Sequence, residues 1–486
     1  MTDTTSGRFD ETPSGSLARA ANIAELAAAP HLWEGLGLAD LAHLIVLHRA
    51  NLVDATTAMQ VAEAIRRLLA EPMPSGLDPA LGDVYTNRMR ILEDRTQGDA
   101  AVLHTGRARR EATTVAWHLA CRSLVLDVGL ALAAMGEALT AVAGEHRAAL
   151  MPDFTYLHHA QPTTLGHYLL GFAHPVARDV RRAHSSLDLL DRSPAATGSV
   201  NGTRLGLDRR LAARLLEFDG LVEHTRDAMW AVDTVLEPAS MLVMAMLNLD
   251  RLAEDLQIWT THEFGFVELA DGHSRQSVIM PQKRNPYALT RLRGQARSLI
   301  GTWTGLAASL ATPSGQPDNR VLAYSDLPSA LAATRDVVAL AADVITGATF
   351  DTARMRDSAG QAYAVATDVA DELTRSGLDN RDSHRIVGAA VRRSAGEGSP
   401  LTAAAVMAAA EELGFEIPAS SQLDTACEPA DAIAHRTTEG GAGEESMAVM
   451  IDSLTATFAA ESEFFAQHPQ RGLRQRLEAR IEEEIR

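Results

Sequence analysis

Ser277, Lys283 and Asn285 stand close together in the run Ser-Val-Ile-Met-Pro-Gln-Lys-Arg-Asn-Pro at 277–286. A hydroxyl, an ammonium and a side-chain amide are thus packed into one short stretch. Asn285 followed by Pro286 predicts a helix start, because Asn is a favoured N-cap and Pro a favoured first helical residue. The stretch therefore precedes a helix N-terminus, which favours an anion. Lys283 adds a full positive charge just before the cap. Such a set suits a reaction that passes through a carbanion beside a carboxylate. The same residues also describe a capped inter-helix loop carrying a solvated lysine. Spacing alone leaves both readings open.

The elements that must position this loop are helices. Aromatic residues make up 5% of the 486, and long runs are rich in Ala, Leu, Arg and Glu, which are good helix formers. Residues 108–150 contain no proline and predict a helix of roughly 40 residues, about 60 Å long. Residues 226–264 predict a second, with Pro238 expected to kink it. Residues 287–312 and 325–347 predict two more. The segment Ala-Ser-Met-Leu-Val-Met-Ala-Met-Leu within 226–264 is apolar on several sides at once, which means burial on several sides. The expected fold is all-α, with long helices forming a bundle completed by other subunits. The pattern predicts no strand of any length and no internal repeat. Turn-rich stretches at 70–83, 311–319, 346–355, 394–400 and 437–446 separate the runs. The tail Arg-Gln-Arg-Leu-Glu-Ala-Arg-Ile-Glu-Glu-Glu-Ile-Arg predicts a charged amphipathic helix with a solvated face.

Composition excludes several functions. The net charge is -19, from 63 acidic and 44 basic residues. That argues against binding a nucleic-acid backbone, yet permits a locally basic pocket for a small anion. Cys121 and Cys427 cannot form a disulfide framework and fit a reducing cytoplasm. The polar N-terminus has no signal-peptide core, and the apolar stretches are interrupted by charge, so no membrane span is expected. Zinc-spaced Cys and His pairs are absent, and the adjacent His158 and His159 point to different faces. No metal and no cofactor is expected.

The run at 277–286 resembles the signature loop of the fumarase/aspartase superfamily, Gly-Ser-Ser-x-Met-Pro-x-Lys-x-Asn-Pro. Within that superfamily the chain is most similar to argininosuccinate lyase. Supporting blocks keep the family order: SGRF (6–9), HLWE (31–34), LHTGRARRE (103–111), FTYLHHAQP (154–162), LGLDR (205–209), RLAEDLQIW (251–259) and EFGFVEL (263–269). The resemblance implies an all-α, three-part subunit, here 1–104, 105–348 and 349–486. It further implies a homotetramer, active sites built from three chains, and an elimination releasing fumarate or a relative. Carried over by position, Ser277 matches the catalytic serine that handles the proton, a role needing activation by its surroundings. Lys283 and Asn285 match the pair that holds the aci-carboxylate. Thr155, Gln161 and Arg109 match substrate-binding positions.

Departures from the family are concentrated around the substrate. Gln276 and Val278 replace the loop's Gly and second Ser. Tyr156 stands where the family has its catalytic histidine; a tyrosine can donate a proton, but its ordinary pKa near 10 makes it a different tool. Ala108 and Arg110 replace a Ser and an Asn. Tyr85, Arg88 and Met89 replace His, Asn and Glu, and SGQPDNRVLAY (314–324) lacks the residues that grip the guanidino half. Tyr85, Arg88 and Arg110 thus join the expected substrate contacts. The pattern describes a retained proton-abstracting loop in a rebuilt pocket. It fits a carbon–nitrogen lyase for an N-succinyl-type substrate, associated through the Ala- and Arg-rich composition with specialised metabolism. C–O elimination, cycloisomerisation and a non-catalytic structural homologue are the other readings.

Overall fold

The computed structural model describes residues 13–312, 320–419 and 421–485. The SGRF block and residues 314–319 of the SGQPDNRVLAY block lie outside them. The proline-free run forms one helix, Arg109–Glu145, of 37 residues, about 55 Å long at 1.5 Å per residue. Its apolar residues face in every direction. The helices Ala29–Arg49, Leu165–Leu190, Ala323–Gly347 and Glu444–Gln467 all pack around it. It is long and apolar enough to cross a membrane, but 72% of that apolar window is buried inside the protein; it is the core of the bundle.

Two glycines on this helix decide how one neighbour seats. A Cβ at Gly129 would lie 2.4 Å from the Phe465 ring, and one at Gly136 2.2 Å from the Phe458 ring. Both pairs are spaced by seven residues, so two rings of one helix drop into two gaps of the other. The C-terminal helices Glu444–Gln467 and Leu473–Ile485 therefore return to the main core, burying Leu477, Ile481 and Ile485. The remainder of the tail's surface is charged, as an amphipathic helix requires. Between these parts, helices Ala366–Arg375, Asn380–Glu397 and Ala403–Leu413 enclose a separate small core around Val369, Leu373, Ile386 and Val406.

Three local expectations are corrected. The 226–264 run is interrupted at Ala231–Val232; its main helix, Asp233–Trp259, continues through Pro238. Residues 146–164 are not helical. Leu150–Thr155 and His158–Thr164 form an antiparallel hairpin, with Thr155 opposite His158. Its pattern hides from sequence reading because Pro152 faces Pro162. Prolines donate no ladder hydrogen bond and are tolerated here only because a two-stranded ribbon is all edge. Finally, helix Tyr287–Leu310 begins without a side-chain cap; Asn285 lies in a strand instead.

Candidate active site

Residues 275–285 make a small hairpin, with Arg275 paired to Asn285 and Gln276 to Arg284. Ser277 to Lys283 form its loop. The Ser277 hydroxyl accepts from the Met280 N–H at 3.1 Å, and the Ser277 N–H donates to the Lys283 carbonyl at 3.4 Å. The Lys283 ammonium donates to Asn285 Oδ1. The Asn285 amide donates in turn to the Arg275 carbonyl at 2.9 Å. Asn285 is thus no helix cap, because strand pairing and the lysine occupy its side chain. The juxtaposition of Lys283 and Asn285 survives on this different scaffold. Val278 and Ile279 at the tip are exposed.

Thr155, Tyr156 and Gln161 ride on the Leu150–Thr164 hairpin. Tyr156 and Leu157 form its two-residue turn, both with positive φ (56° and 62°), the geometry that matches the twist of a tight hairpin. Tyr156 is 97% exposed, and Thr155 beside it is also exposed. Gln161 is half-buried and lines a cavity of about 740 Å³ together with Asp153, His167, Asp371 and Arg375. Within one chain, no hydrogen bond or ion pair among the described residues joins Ser277, Lys283 or Asn285 to Thr155, Tyr156, Gln161 or Arg109.

The third block surrounds the turn 104–108 that opens the central helix. Arg109 is half-exposed and pairs with Asp83 at 3.3 Å. Arg110 is partly buried, its guanidinium carbon 5.8 Å from the Tyr324 ring, beside a small cleft shared with Asp83, Tyr85 and Thr113. Arg88 is a correction. It is fully buried, its Nε donating to Asp40 at 3.3 Å, with its guanidinium 5.6 Å from the Trp33 ring. It is sealed inside the subunit and offers a substrate nothing. Tyr85 is 2% exposed, with its hydroxyl 3.3 Å from His104 Nδ1; burial pushes its pKa up, so it stays protonated.

The residues that hold this turn were not singled out from the sequence. Asp40 accepts from Arg107 at 2.6 Å as well as from Arg88. His43 Nε2 lies 3.0 Å from the Thr105 carbonyl. Burial opposes charge on both guanidinium groups. It draws Arg88 below its ordinary range, while at Arg107 the Asp40 carboxylate, with Tyr85 and Glu111 adding to it, outweighs burial and raises that group. The buried Glu111 carboxyl is pushed up by desolvation, against the pull of Arg107. A single Asp inside the apolar run Leu-Gly-Leu-Ala-Asp-Leu-Ala-His-Leu-Ile was the available signal, since a lone acid there needs a buried partner. Among the described residues, no three His, Cys, Asp or Glu side chains group as metal ligands.

Comparison with known proteins places these blocks. Residues 53–301 match the family model described as lyase, and 363–424 match the argininosuccinate lyase C-terminal model. The argininosuccinate lyase of Methanoculleus marisnigri is 34% identical over 85% of each chain. That of Rhodococcus opacus is 35% identical over 81% of this chain and 84% of its own. Among solved structures, a variant of EDDS lyase with bound fumarate superposes with a TM-score of 0.85 at 24% identity, covering 98% of this chain and 97% of its own. The class II fumarase of Schistosoma mansoni superposes at 0.71 and 15% identity, covering 87% and 94%.

Proposed function

The chain belongs to the argininosuccinate lyase family of the fumarase/aspartase superfamily and is a carbon–nitrogen lyase, and from this premise we propose that it eliminates an amine from an N-succinyl-type or related anionic substrate other than argininosuccinate, releasing fumarate or a fumarate-like product. The single observation that carries the reading is the unequal fate of the blocks. Ser277, Lys283 and Asn285 keep their types and sit on one hairpin, whereas Ala108, Arg110 and Tyr156 depart from the family pattern at positions that the resemblance assigns to the substrate or to catalysis. In this reading Ser277 takes the proton beside the carboxylate once activated by its surroundings. Lys283 and Asn285 hold the charge that then develops. Thr155, Gln161 and Arg109 bind the substrate, Arg110 meets the distal amine portion, and Tyr156 returns a proton to the leaving nitrogen.

A tyrosine 97% exposed at a hairpin tip serves a site completed by another subunit. We take the assembly to be a homotetramer with shared sites. Supporting this, Met244 and Leu247 on helix Asp233–Trp259 and Ile300 and Trp303 on helix Tyr287–Leu310 are exposed apolar residues of the long helices. Light scattering should give about four times 52 kDa; a stable monomer would remove the shared site. The protein is taken to act in the cytoplasm on a substrate of specialised metabolism. The deciding assay follows fumarate absorbance across a panel of N-succinyl amines, and fumarate consumption with free amines in reverse. Fumarate release from panel members and no arginine from argininosuccinate is expected. Ready arginine release would refute the rebuilt pocket.

A further inference from the structure

We propose that Arg284 is a positioning residue that fixes the base of the 277–283 loop and so aims Ser277 and Lys283; this deepens the reading of that loop as catalytic and rests on it. The side chain leaves the hairpin and crosses to the segment before it. Its Nη1 donates to Glu268 Oε1 at 2.5 Å. Its Nη2 donates to the Leu269 carbonyl at 2.7 Å and pairs with Asp271 Oδ1 at 2.9 Å. One guanidinium therefore holds three acceptors. Glu268 is itself anchored, since Val267–Glu268 pairs with Thr349–Phe350 and Val267, Leu269 and Phe350 are buried in the main core.

The loop beyond this clamp has no comparable tie. Among the described residues, the hydrogen bonds of Ser277, Met280, Lys283 and Asn285 all close within residues 275–285. Arg275 stacks its guanidinium on the Tyr287 ring at 3.5 Å, which steadies the first strand against the following helix. Just upstream of that strand the chain is packed by His273: a Cβ added at Gly347 would lie 3.1 Å from that ring. With the tip free and the base held, the orientation of the base sets where Ser277 points. A planar fork suits three acceptors in different directions; a lysine ammonium is a single point donor on a flexible stem. Arg284 is 47% exposed in side chain, and exposed ion pairs contribute little to stability. Its value lies in orientation.

The test uses the full-length protein carrying Arg284→Gln or Arg284→Lys. Hydrogen exchange of residues 275–286, with and without fumarate as the probe, is measured beside kcat and KM for whichever N-succinyl compound releases fumarate. Arg284→Gln should speed exchange in that segment and lower kcat by about ten- to a hundredfold, the scale of a small misplacement of reacting groups. KM should stay within about threefold, with assembly and melting temperature unchanged. Arg284→Lys should recover part of the rate. Unchanged exchange, or a rate loss that runs in parallel with lost assembly or melting temperature, overturns the proposal. Ser277→Ala separates the two levels. It should stop turnover with exchange unaltered. If it stays active, the reading of the loop has failed, while the exchange result for Arg284 still decides the clamp.

Discussion

Asp40→Ala should destabilise the subunit by about 3–5 kcal/mol, the cost of stranding a buried charge by removing its partner. Asp40 accepts from Arg107 at 2.6 Å and from Arg88 at 3.3 Å, and the three side chains are between 0% and 3% exposed. Removing the carboxylate leaves two buried guanidinium groups facing each other. Nη1 and Nη2 of Arg88 already have no hydrogen-bond partner, so little is left to absorb the loss. The upper part of the range is therefore expected. The control is Arg49–Glu484, also 2.6 Å apart, but with side chains 55% and 26% exposed. Solvent screens that pair, and Glu484→Ala should cost about 0–1 kcal/mol. Urea unfolding at fixed protein concentration, followed by tryptophan fluorescence, compares the two variants; Trp33 lies against Arg88 and reports the site directly. Similar losses for both variants, or under about 1 kcal/mol for Asp40→Ala, would refute the reasoning that burial decides the value of these pairs.

Ser277→Ala should lower turnover by about 10²- to 10⁴-fold with melting temperature unchanged, because the hydroxyl's one hydrogen bond lies within an exposed loop; retention of a tenth of the activity or more would remove the serine from its role. Gly136→Ala should destabilise the bundle by about 1–3 kcal/mol through overpacking, since the new methyl meets the Phe458 ring. Phe458→Leu in the same chain should recover part of that loss in a denaturation double-mutant cycle. His118 is fully buried and desolvation lowers its pKa to about 3, with the Arg320 charge adding to the effect. The unfolded chain takes up a proton near pH 6.5 that the folded chain refuses until about pH 3. Stability from this group is thus whole above pH 6.5 and falls as the pH drops between those values, by up to about 1.4 kcal/mol per pH unit. His118→Gln should flatten that part of the stability profile; an unchanged acid limb would contradict it.

The long helices were legible because their cause is local. A proline-free run rich in Ala and Leu has one good backbone solution, and Arg109–Glu145 takes it. The hairpin at 150–164 was illegible because its strands carry facing prolines and no alternation. Its pairing is stabilised by contacts such as Phe154 against Phe264 and Phe266, which no window of sequence contains. Asn285 shows how a correct local preference can lose. Its type and the following proline favour a cap, but strand pairing with Arg275 and the Lys283 ammonium claimed the side chain first.

By itself the sequence determined the all-α class, the order of the blocks, and the identity of the groups that could handle a proton and a carboxylate. Chemical type is a property of each residue, and helix preference is a property of its near neighbours, so both can be read along the chain. Only the tertiary structure decided which charged side chains are buried and which stay beside a cleft. Arg88 and Arg110 read alike as extra cations. Arg88 was withdrawn into the core by Asp40, 48 residues away in sequence, while Arg110 lies against Tyr324 at the edge of a cleft. The direction of a long charged side chain is set by where its counter-charge lies after folding. That is a long-range contact, and the cost of burying an unpaired charge leaves the chain little choice but to make it.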